Sequence, residues 1–379
     1  MKKTLIALAA LAATASFAQV TLSGRVSEGV SSISSTGAAA GAGSDLSART
    51  LVQDFSSRLR IGVNEDLGGG MRAFAAYEFG LNFDTGTGNT QAGTANSAAG
   101  FNGSRESHIG IGNSLLEVRV GRQNVFWTQG DLVEQGANKI GKDAISDMYT
   151  RQANVRQNNA ILLNLNSGAG GFAGSQIYWA PEVANETQPV GTGSANAATW
   201  GFKANYDMGA IHFMGDYQKR TSIAADAAGV IPAANTVFDA TSMKVGLGYR
   251  YAPGSIVAAH YFEQKKEFTD GVTNGSKQNG WAVNIGHNIG NGYTAYASYG
   301  SLGNVNGTTG ADTVDSASTG WNIGGRKDLS KRTALFASYG RISNGAGANF
   351  APTGGGFMPA TIAAGSNPTW TLVGVQHNF

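Results

Sequence analysis

The pattern of connections between short alternating segments is the feature that most constrains the fold of this chain. Segments of about ten residues alternate apolar and polar side chains, as in 57–63 and 116–123. Short and long connections separate these segments in strict alternation. The short ones contain Gly, Asn, Asp and Pro, which supply the backbone angles of tight hairpins. The long ones are polar and rich in Gly, Ser, Thr, Ala and Asn.

Seven short turns and eight long connections separate sixteen strand candidates. An even number of strands, with short turns on one side and long loops on the other, is typical of a bacterial outer-membrane barrel. The sequence therefore predicts an all-β fold, a 16-stranded antiparallel transmembrane β-barrel with both termini on the periplasmic side. We place the strands near 20–30, 57–65, 71–79, 105–112, 116–123, 158–166, 172–180, 198–206, 210–220, 241–251, 256–266, 279–288, 293–300, 318–327, 332–343 and 368–379.

The first 18 residues have the features of a secretory signal peptide. Lys2 and Lys3 precede a short apolar stretch, and the small residues Ser16 and Ala18 stand three and one before a cleavage position. The stretch is too short and wrongly flanked for a spanning helix. We expect cleavage after Ala18, so that residues 19–379 form the mature barrel.

Composition excludes several other classes of protein. No Cys occurs among 379 residues, so disulfides and cysteine-ligated metals are excluded. No later run of 18 or more apolar residues predicts a helical membrane span. Lys and Arg number 27 against 25 Asp and Glu, which argues against nucleic-acid binding by bulk charge. Charged residues make up only 14% of the chain, low for a soluble protein.

Aromatic residues recur at the ends of the predicted strands. Trp179 ends a strand that leads into a long connection, and four further tryptophans begin strands that leave one: Trp200, Trp281, Trp321 and Trp370. Three tyrosines lie beside short turns: Tyr206, Tyr249 and Tyr251. Aromatic rings at two levels predict the interfacial girdles of a membrane barrel. A soluble β-sandwich core is the alternative interpretation, although core rings would not be confined to strand ends.

Several segments resemble the trimeric general diffusion porins of Gram-negative bacteria, particularly the betaproteobacterial and neisserial type. They are VTLSGRV at 20–26, SRLRIGVNEDLGGGMRA at 57–73, VGRQ at 120–123 and the terminal WTLVGVQHNF at 370–379. The resemblance implies a homotrimer in the outer membrane, in contact with lipid and lipopolysaccharide, that passes small hydrophilic solutes and ions. It also implies that Phe379 is part of a C-terminal assembly signal.

The resemblance further implies that the third long connection, 124–157, folds into the barrel and narrows it. This connection carries apolar residues such as Trp127 and Leu132 among charges, as expected of a segment packed against a wall. An exposed loop is the alternative. The candidate constriction residues are Asp131, Glu134, Lys139, Lys142, Asp143, Asp147, Arg151 and Arg156.

Alternation places four arginines of the first three predicted strands on the inner face: Arg25, Arg58, Arg60 and Arg72. The resemblance implies a wall of basic residues facing acidic residues of the third loop. Guanidinium stays charged at ordinary pH, so we expect a modest preference for anions. Alternatively, each arginine forms a structural salt bridge with Glu28, Glu65 or Glu78 inside the barrel.

No pattern in the sequence predicts catalysis, a cofactor or a metal site. The histidines are scattered over separate predicted strands, and neither a metal-binding His spacing nor a Gly-x-Ser-x-Gly nucleophile motif occurs. We therefore expect a channel and not an enzyme. A substrate-specific channel remains the main alternative, and an enzyme built on a barrel is the second.

Overall fold

The computed structural model describes residues 19–81, 83–84, 101–125, 156–181, 198–224, 237–268, 275–307, 315–352 and 362–379. The predicted signal peptide lies outside these residues. No helix among the described residues is long and apolar enough to cross a membrane.

All the strands belong to one antiparallel sheet that closes on itself. Each strand pairs with its neighbours in the chain, and β1 pairs with β17 to close the barrel. The strands are β1 (Gln19–Thr36), β2 (Arg49–Asp54), β3 (Arg58–Gly68), β4 (Met71–Leu81), β5 (Phe101–Gly112), β6 (Leu116–Asn124), β7 (Arg156–Leu165), β8 (Gln176–Ala180), β9 (Thr199–Met208), β10 (Ile211–Ala224), β11 (Val237–Ala252), β12 (Ser255–Phe268), β13 (Ser276–Gly290), β14 (Tyr293–Leu302), β15 (Ser318–Asp328), β16 (Thr333–Asn344) and β17 (Asn367–Asn378).

The segments β2 and β3 are two halves of one barrel strand. Both pair with β1, and the residues between them, 55–57, interrupt the ladder. Ser56 adopts a left-handed backbone conformation there, with φ of 63°. Counted as one strand, they give the predicted closed barrel of 16 antiparallel strands, which is confirmed. Because β1 and β17 close the sheet, backbone amides and carbonyls pair between neighbouring strands around the barrel, as a lipid environment requires.

Strand boundaries differ from the predicted ones by up to eight residues, as two places in the barrel illustrate. β1 continues to Thr36, beyond the predicted end at 30, because Asn367 of β17 still pairs with Thr36. The predicted first loop of 31–56 is therefore shortened to 37–48. At the other place, Ser167–Phe172 forms a 3-10 turn, so β8 begins at Gln176 and not at 172.

Large apolar side chains cover the outer surface. Leu22, Ile109 and Val373 are among the many that stay exposed on the isolated chain, as a lipid-facing surface requires. At one level of this surface Trp179, Trp200 and Trp281 are half-exposed, and Trp321 packs edge-on against Tyr339. Near the short turns three exposed tyrosines form the other predicted level: Tyr206, Tyr249 and Tyr251.

Trp370 does not belong to the outer aromatic level, and this expectation is wrong. Its side chain is only 1% exposed and packs in a cluster with inward residues such as Phe336. Alternation along β17 places Trp370 inward, while Thr371 and Val373 face outward. The indole fits because Gly340 lies directly opposite on β16.

Inward aromatic rings lie against glycines of the neighbouring strand. In each pair the ring residue and the glycine are direct cross-strand partners, and a Cβ on the glycine would lie 2.3 to 2.6 Å from the nearest atom of the aromatic side chain. These close approaches require glycine and explain part of its high frequency in the chain. The pairs are Phe74–Gly110, Tyr178–Gly201, Phe262–Gly280, Tyr296–Gly324, Phe336–Gly374 and Trp370–Gly340.

The C-terminal residue is tied to the first strand. Phe379 donates its backbone N–H to the carbonyl of Gly24 at 3.1 Å and accepts from the Gly24 N–H at 3.0 Å. Its ring lies against Gly24, which leaves no room for a Cβ there. Phe379 thus joins the last strand to the first at barrel closure. Its role as an assembly signal remains a prediction.

Candidate pore-lining site

An arginine–glutamate network occupies the inner face of β3, β4 and β5. Arg60 lies inward because its neighbours Leu59 and Ile61 alternate to the outer side. Its Nη1 donates to Glu106 Oε2 at 2.9 Å and lies 3.7 Å from Glu78 Oε2. Arg58, two residues earlier, lies on the same face. One guanidinium thus bridges two carboxylates on adjacent strands, a strong charge-assisted arrangement.

A second group of charges lies nearer the short-turn end. Arg72 Nη2 donates to Glu117 Oε2 at 2.8 Å, and its guanidinium lies 4.8 Å from the centre of the Phe74 ring. Arg119 Nε donates to the other oxygen of Glu117 at 2.8 Å. Glu117 therefore holds two guanidinium groups on the inner face. The cation–π contact with Phe74 also fixes the orientation of Arg72.

Arg105 joins this network through a β-bulge. Glu78 pairs with Glu106, while the next residue on β4, Phe79, pairs with Ser104, so Arg105 is an extra residue in its strand. Arg105 Nε donates to Glu78 Oε1 at 2.7 Å. A bulge can turn two successive side chains toward the same face of a sheet. Simple alternation could not have identified Arg105, whereas it could have identified Glu117 and Arg119.

Arg25 also lies inward, but its guanidinium is occupied by backbone groups. The residue is 6% exposed, and its Nη2 donates to the carbonyl of Ser56 at 2.9 Å and to that of Phe55 at 3.4 Å. These carbonyls are available because the ladder is interrupted between β2 and β3. Arg25 therefore satisfies the interrupted backbone and differs in surroundings from Arg58, Arg60 and Arg72.

The alternative interpretation paired the inward arginines with glutamates inside the barrel, but two of these glutamates, Glu28 and Glu78, lie on opposite faces of the sheet. Glu78 is inward and pairs with arginines, as that alternative expects. Glu28 is on the outer face of β1, opposite Asp54 of β2 and Val375 of β17. Arg60 and Arg72 thus lie on the inner wall, as the first interpretation predicts, and also form salt bridges, as the alternative predicts. The two interpretations are compatible at these residues.

Most of the predicted constriction residues lie outside the described part of the chain. They are Asp131, Glu134, Lys139, Lys142, Asp143, Asp147 and Arg151. Arg156 is described: it begins β7 and interacts electrostatically with Glu78 and Glu106. Arg156 therefore approaches the network of β4 and β5.

The described histidines lie on five different strands: His108, His212, His260, His287 and His377. Among the described residues there is no group of three or more His, Asp or Glu side chains that could hold a metal ion.

Comparison with known proteins agrees with this geometry. The chain is 26% identical to outer membrane porin protein 32 of Delftia acidovorans over the full length of both, and 26% identical to the major outer membrane protein P.IB of Neisseria meningitidis serogroup B, serotype 15, over 94% of this chain and 98% of that protein. It shares its fold with the anion-selective porin from Comamonas acidovorans, with a TM-score of 0.71 and 22% identity over 96% of this chain and 100% of the other. The family described as Gram-negative porin matches residues 4–347. Since that match covers nearly the whole chain and the barrel is closed, the chain belongs to the Gram-negative porin family and is an outer-membrane protein.

Proposed function

We propose that the protein forms a water-filled channel for passive diffusion of small hydrophilic solutes and ions, with a modest preference for anions. The arginine–glutamate network on the inner face carries the proposal. Within the described part of β3 to β6, five arginines accompany four acidic residues on this wall: Arg58, Arg60, Arg72, Arg105 and Arg119 with Asp66, Glu78, Glu106 and Glu117.

The sign of the preference follows from this excess of arginine. Glu78, Glu106 and Glu117 each accept hydrogen bonds from guanidinium groups, which neutralise their charge locally. The remaining positive charge attracts anions toward the wall. Because the lumen contains water and salt, each charge is screened beyond about 8 to 10 Å at physiological ionic strength. The preference is therefore modest and decreases as salt concentration rises.

The relative from Comamonas acidovorans supports the same sign, since its name describes an anion-selective porin. That property belongs to the other protein. For this chain it adds support to a proposal that rests on the inward arginines.

Single-channel recording in a planar bilayer with a KCl gradient tests this function. We expect stepwise opening and a zero-current potential with the sign of chloride preference. A potential of the opposite sign would contradict the anion preference. A current that saturates with one solute and is blocked by it would favour the alternative of a substrate-specific channel. A barrel with no conductance would contradict the channel itself.

The third long connection is proposed to narrow the lumen at mid-height. Support comes from the family resemblance and from the charges and apolar residues of 126–155. Deleting 130–150 should increase conductance and reduce size exclusion of uncharged sugars. Unchanged sugar permeation would assign the narrowest part to another segment.

A homotrimer is proposed as the assembled form. Glu28 and Asp54 face each other on the outer side of β1 and β2, beside the apolar Val30 and Val52. Acidic groups so close to a lipid-facing surface are costly, and a subunit interface over Val30 and Val52 would keep this part of β1 and β2 away from lipid. Chemical cross-linking in detergent should give a trimer, and a monomer throughout would contradict this assembly.

Lipopolysaccharide is the proposed partner of the outer rim. Lys265 and Lys277 are cross-strand partners on the outer face, four residues beyond the level of Tyr261 and Trp281. Lysines at this height can reach anionic headgroups with their amino groups. Replacing both by Gln should decrease co-purified lipopolysaccharide, and an unchanged amount would contradict the contact.

Cleavage after Ala18 is proposed for the N-terminus. The mature protein purified from outer membranes should then begin at Gln19, which N-terminal sequencing measures. A different first residue would move the cleavage position.

A further inference from the structure

The inner wall formed by β16, β17 and residues 29–36 of β1 is uncharged and carries several large apolar side chains, unlike the charged wall of β3 to β6. One buried cluster contains inward side chains from all three strands: Phe336 and Ile342 of β16, Trp370 and Leu372 of β17, and Ile33 of β1. Each is at most 4% exposed. Facing a water-filled lumen, such side chains would each lose about 1.5 to 3 kcal/mol of burial free energy. Their burial means that another part of the chain covers them.

The covering residues come from two long connections. Ala348 and Phe350, from the connection between β16 and β17, belong to the same cluster, and Leu46, from the connection between β1 and β2, packs against it. Ile362 is also buried. We call the described residues 37–48, 345–352 and 362–366 the inner layer. Since the side chains that they contact point inward, the inner layer lies on the lumen side of the wall.

Asn344 anchors one side of the inner layer. Its Nδ2 donates to the carbonyl of Phe350 at 2.9 Å and to that of Ser366 at 2.6 Å, and its Oδ1 accepts from the Phe350 N–H at 3.2 Å. The Gly365 N–H also donates to the carbonyl of Ala348 at 2.8 Å. The two described ends of the last connection are therefore bound to each other and to the end of β16. These bonds satisfy backbone groups that would otherwise be buried without partners.

Asp45 joins the first connection to the last. Its carboxylate accepts from the N–H groups of Gly37 and Ala38 at 2.9 and 2.8 Å, and from Ser366 Oγ at 2.8 Å. The Ala39 N–H donates to the carbonyl of Ala364 at 2.8 Å. Segments more than 300 residues apart in the sequence thus form one hydrogen-bonded layer over the apolar side chains of β16, β17 and β1.

We propose that the inner layer is a second constriction element, which reduces the cross-section of the lumen along β16, β17 and β1 and carries a single charged residue, Asp45. Most of its other residues are small and all of them are uncharged, and the Asp45 carboxylate accepts hydrogen bonds within the layer. This proposal rests on the channel function. The charged residues of β3 to β6 then determine the ion preference, and the inner layer determines the width of the lumen.

A deletion of 346–364, which joins Gly345 to Gly365, tests this division. Single-channel conductance should rise about 1.5-fold or more, while the zero-current potential in a KCl gradient stays within error of the parent protein. As the control, deletion of 269–274 in the connection between β12 and β13 should change neither value. Unchanged conductance after deletion of 346–364 would overturn the proposal. A parent protein without conductance would instead contradict the channel function.

The deletion exposes apolar side chains of β16, β17 and β1 and can therefore impair folding. Cysteine labelling supplies an independent measurement. The chain contains no Cys, so Ala42→Cys and Ala364→Cys each provide a single thiol on a cysteine-free background. Labelling with an impermeant methanethiosulfonate reagent in the bilayer should decrease single-channel current in discrete steps. The control Ser330→Cys, in the short turn between β15 and β16, should show no step. Complete labelling at Ala42→Cys and Ala364→Cys without a change of current would place the inner layer outside the ion path.

Discussion

Two regions of the inner wall show how one barrel surface meets opposite demands. On β3 to β6 the inward side chains are charged and paired, as in Arg60 with Glu78 and Glu106. On β16 and β17 the inward side chains are uncharged, and the chain covers the large apolar ones, such as Trp370 and Leu372, with its own connections. Both regions have the same alternating backbone and the same closed ladder.

The difference teaches that alternation fixes which side a residue faces but not what it meets there. Charged side chains are well solvated by water in the lumen, so their wall needs no cover. Apolar side chains on the same side gain free energy only if protein covers them. The chemistry of the inward residues therefore indicates where a connection folds inward.

Removing the largest side chain of the covered wall should have the strongest effect. Trp370→Ala should destabilise the barrel by about 3 to 5 kcal/mol, because a buried aromatic residue leaves a cavity. Urea titration of the protein in liposomes, followed by the mobility of unheated samples on gels, measures this. The control Trp281→Ala, on the lipid side, should cost clearly less. Equal losses would break the distinction between the covered wall and the lipid-facing surface.

Filling the space beside the same ring should have a smaller effect. A Cβ at Gly340 would lie 2.3 Å from the Trp370 ring and 2.6 Å from the Trp321 carbonyl oxygen. Gly340→Ala should therefore destabilise by about 1 to 3 kcal/mol, a typical result of overpacking. Gly215→Ala is the matched control, since a Cβ there meets nothing within 4 Å. If both variants have the same urea midpoint of unfolding as the parent protein, the close packing of the Trp370 ring against Gly340 does not contribute to stability.

Neutralising the charged wall should change the ion preference of the channel more than its conductance. The double variant Arg60→Gln with Arg72→Gln should lower the ratio of chloride to potassium permeability by about twofold, which corresponds to less than 1 kcal/mol, as screened charges in a watery lumen imply. Zero-current potentials measure the ratio. Lys265→Gln, on the outer face, should leave it unchanged. A large change of conductance with an unchanged ratio would reverse the roles assigned to the two walls.

The smallest expected effect concerns the joint at Asp45. The hydrogen bond from Ser366, followed by those from the N–H groups of Ala38 and Gly37, lowers the pKa of Asp45 below its ordinary value. A lowered pKa in the folded state means that this stabilisation is present above the unfolded pKa of about 3.9 and is lost as pH falls through the folded pKa. Conductance should thus be constant from neutral pH to about 5 and should change only in stronger acid.

Asp45→Asn should remove that acid response, because the amide keeps one acceptor and does not titrate. Asp66→Asn is the control: Asp66 accepts an N–H from Gly68 at 2.8 Å in a short turn at the other end of the barrel, and its variant should retain the acid response. The same acid response in Asp45→Asn as in the parent protein would assign it to another group.

Much of the fold followed from local patterns. Alternation in 57–63 predicted that Arg58 and Arg60 face inward, and the same pattern in 116–123 puts Glu117 and Arg119 on one face, because each side of a strand meets one environment. Arg105 escaped because a bulge breaks the period of two, and a bulge depends on the partner strand. Trp370 was misassigned because its place at the end of a strand suggested a girdle, while its side was set by alternation and by Gly340 opposite.

By itself, the sequence determined the number of strands, the two kinds of connection and the inward arginines, because these depend on spacing along one chain. Only the tertiary structure decided which charges pair, as in Arg72 with Glu117, and which glycine receives which ring. It also decided that Asp45 and Ser366 meet. The contact between Asp45 and Ser366 joins segments more than 300 residues apart, which become neighbours only when β17 closes against β1.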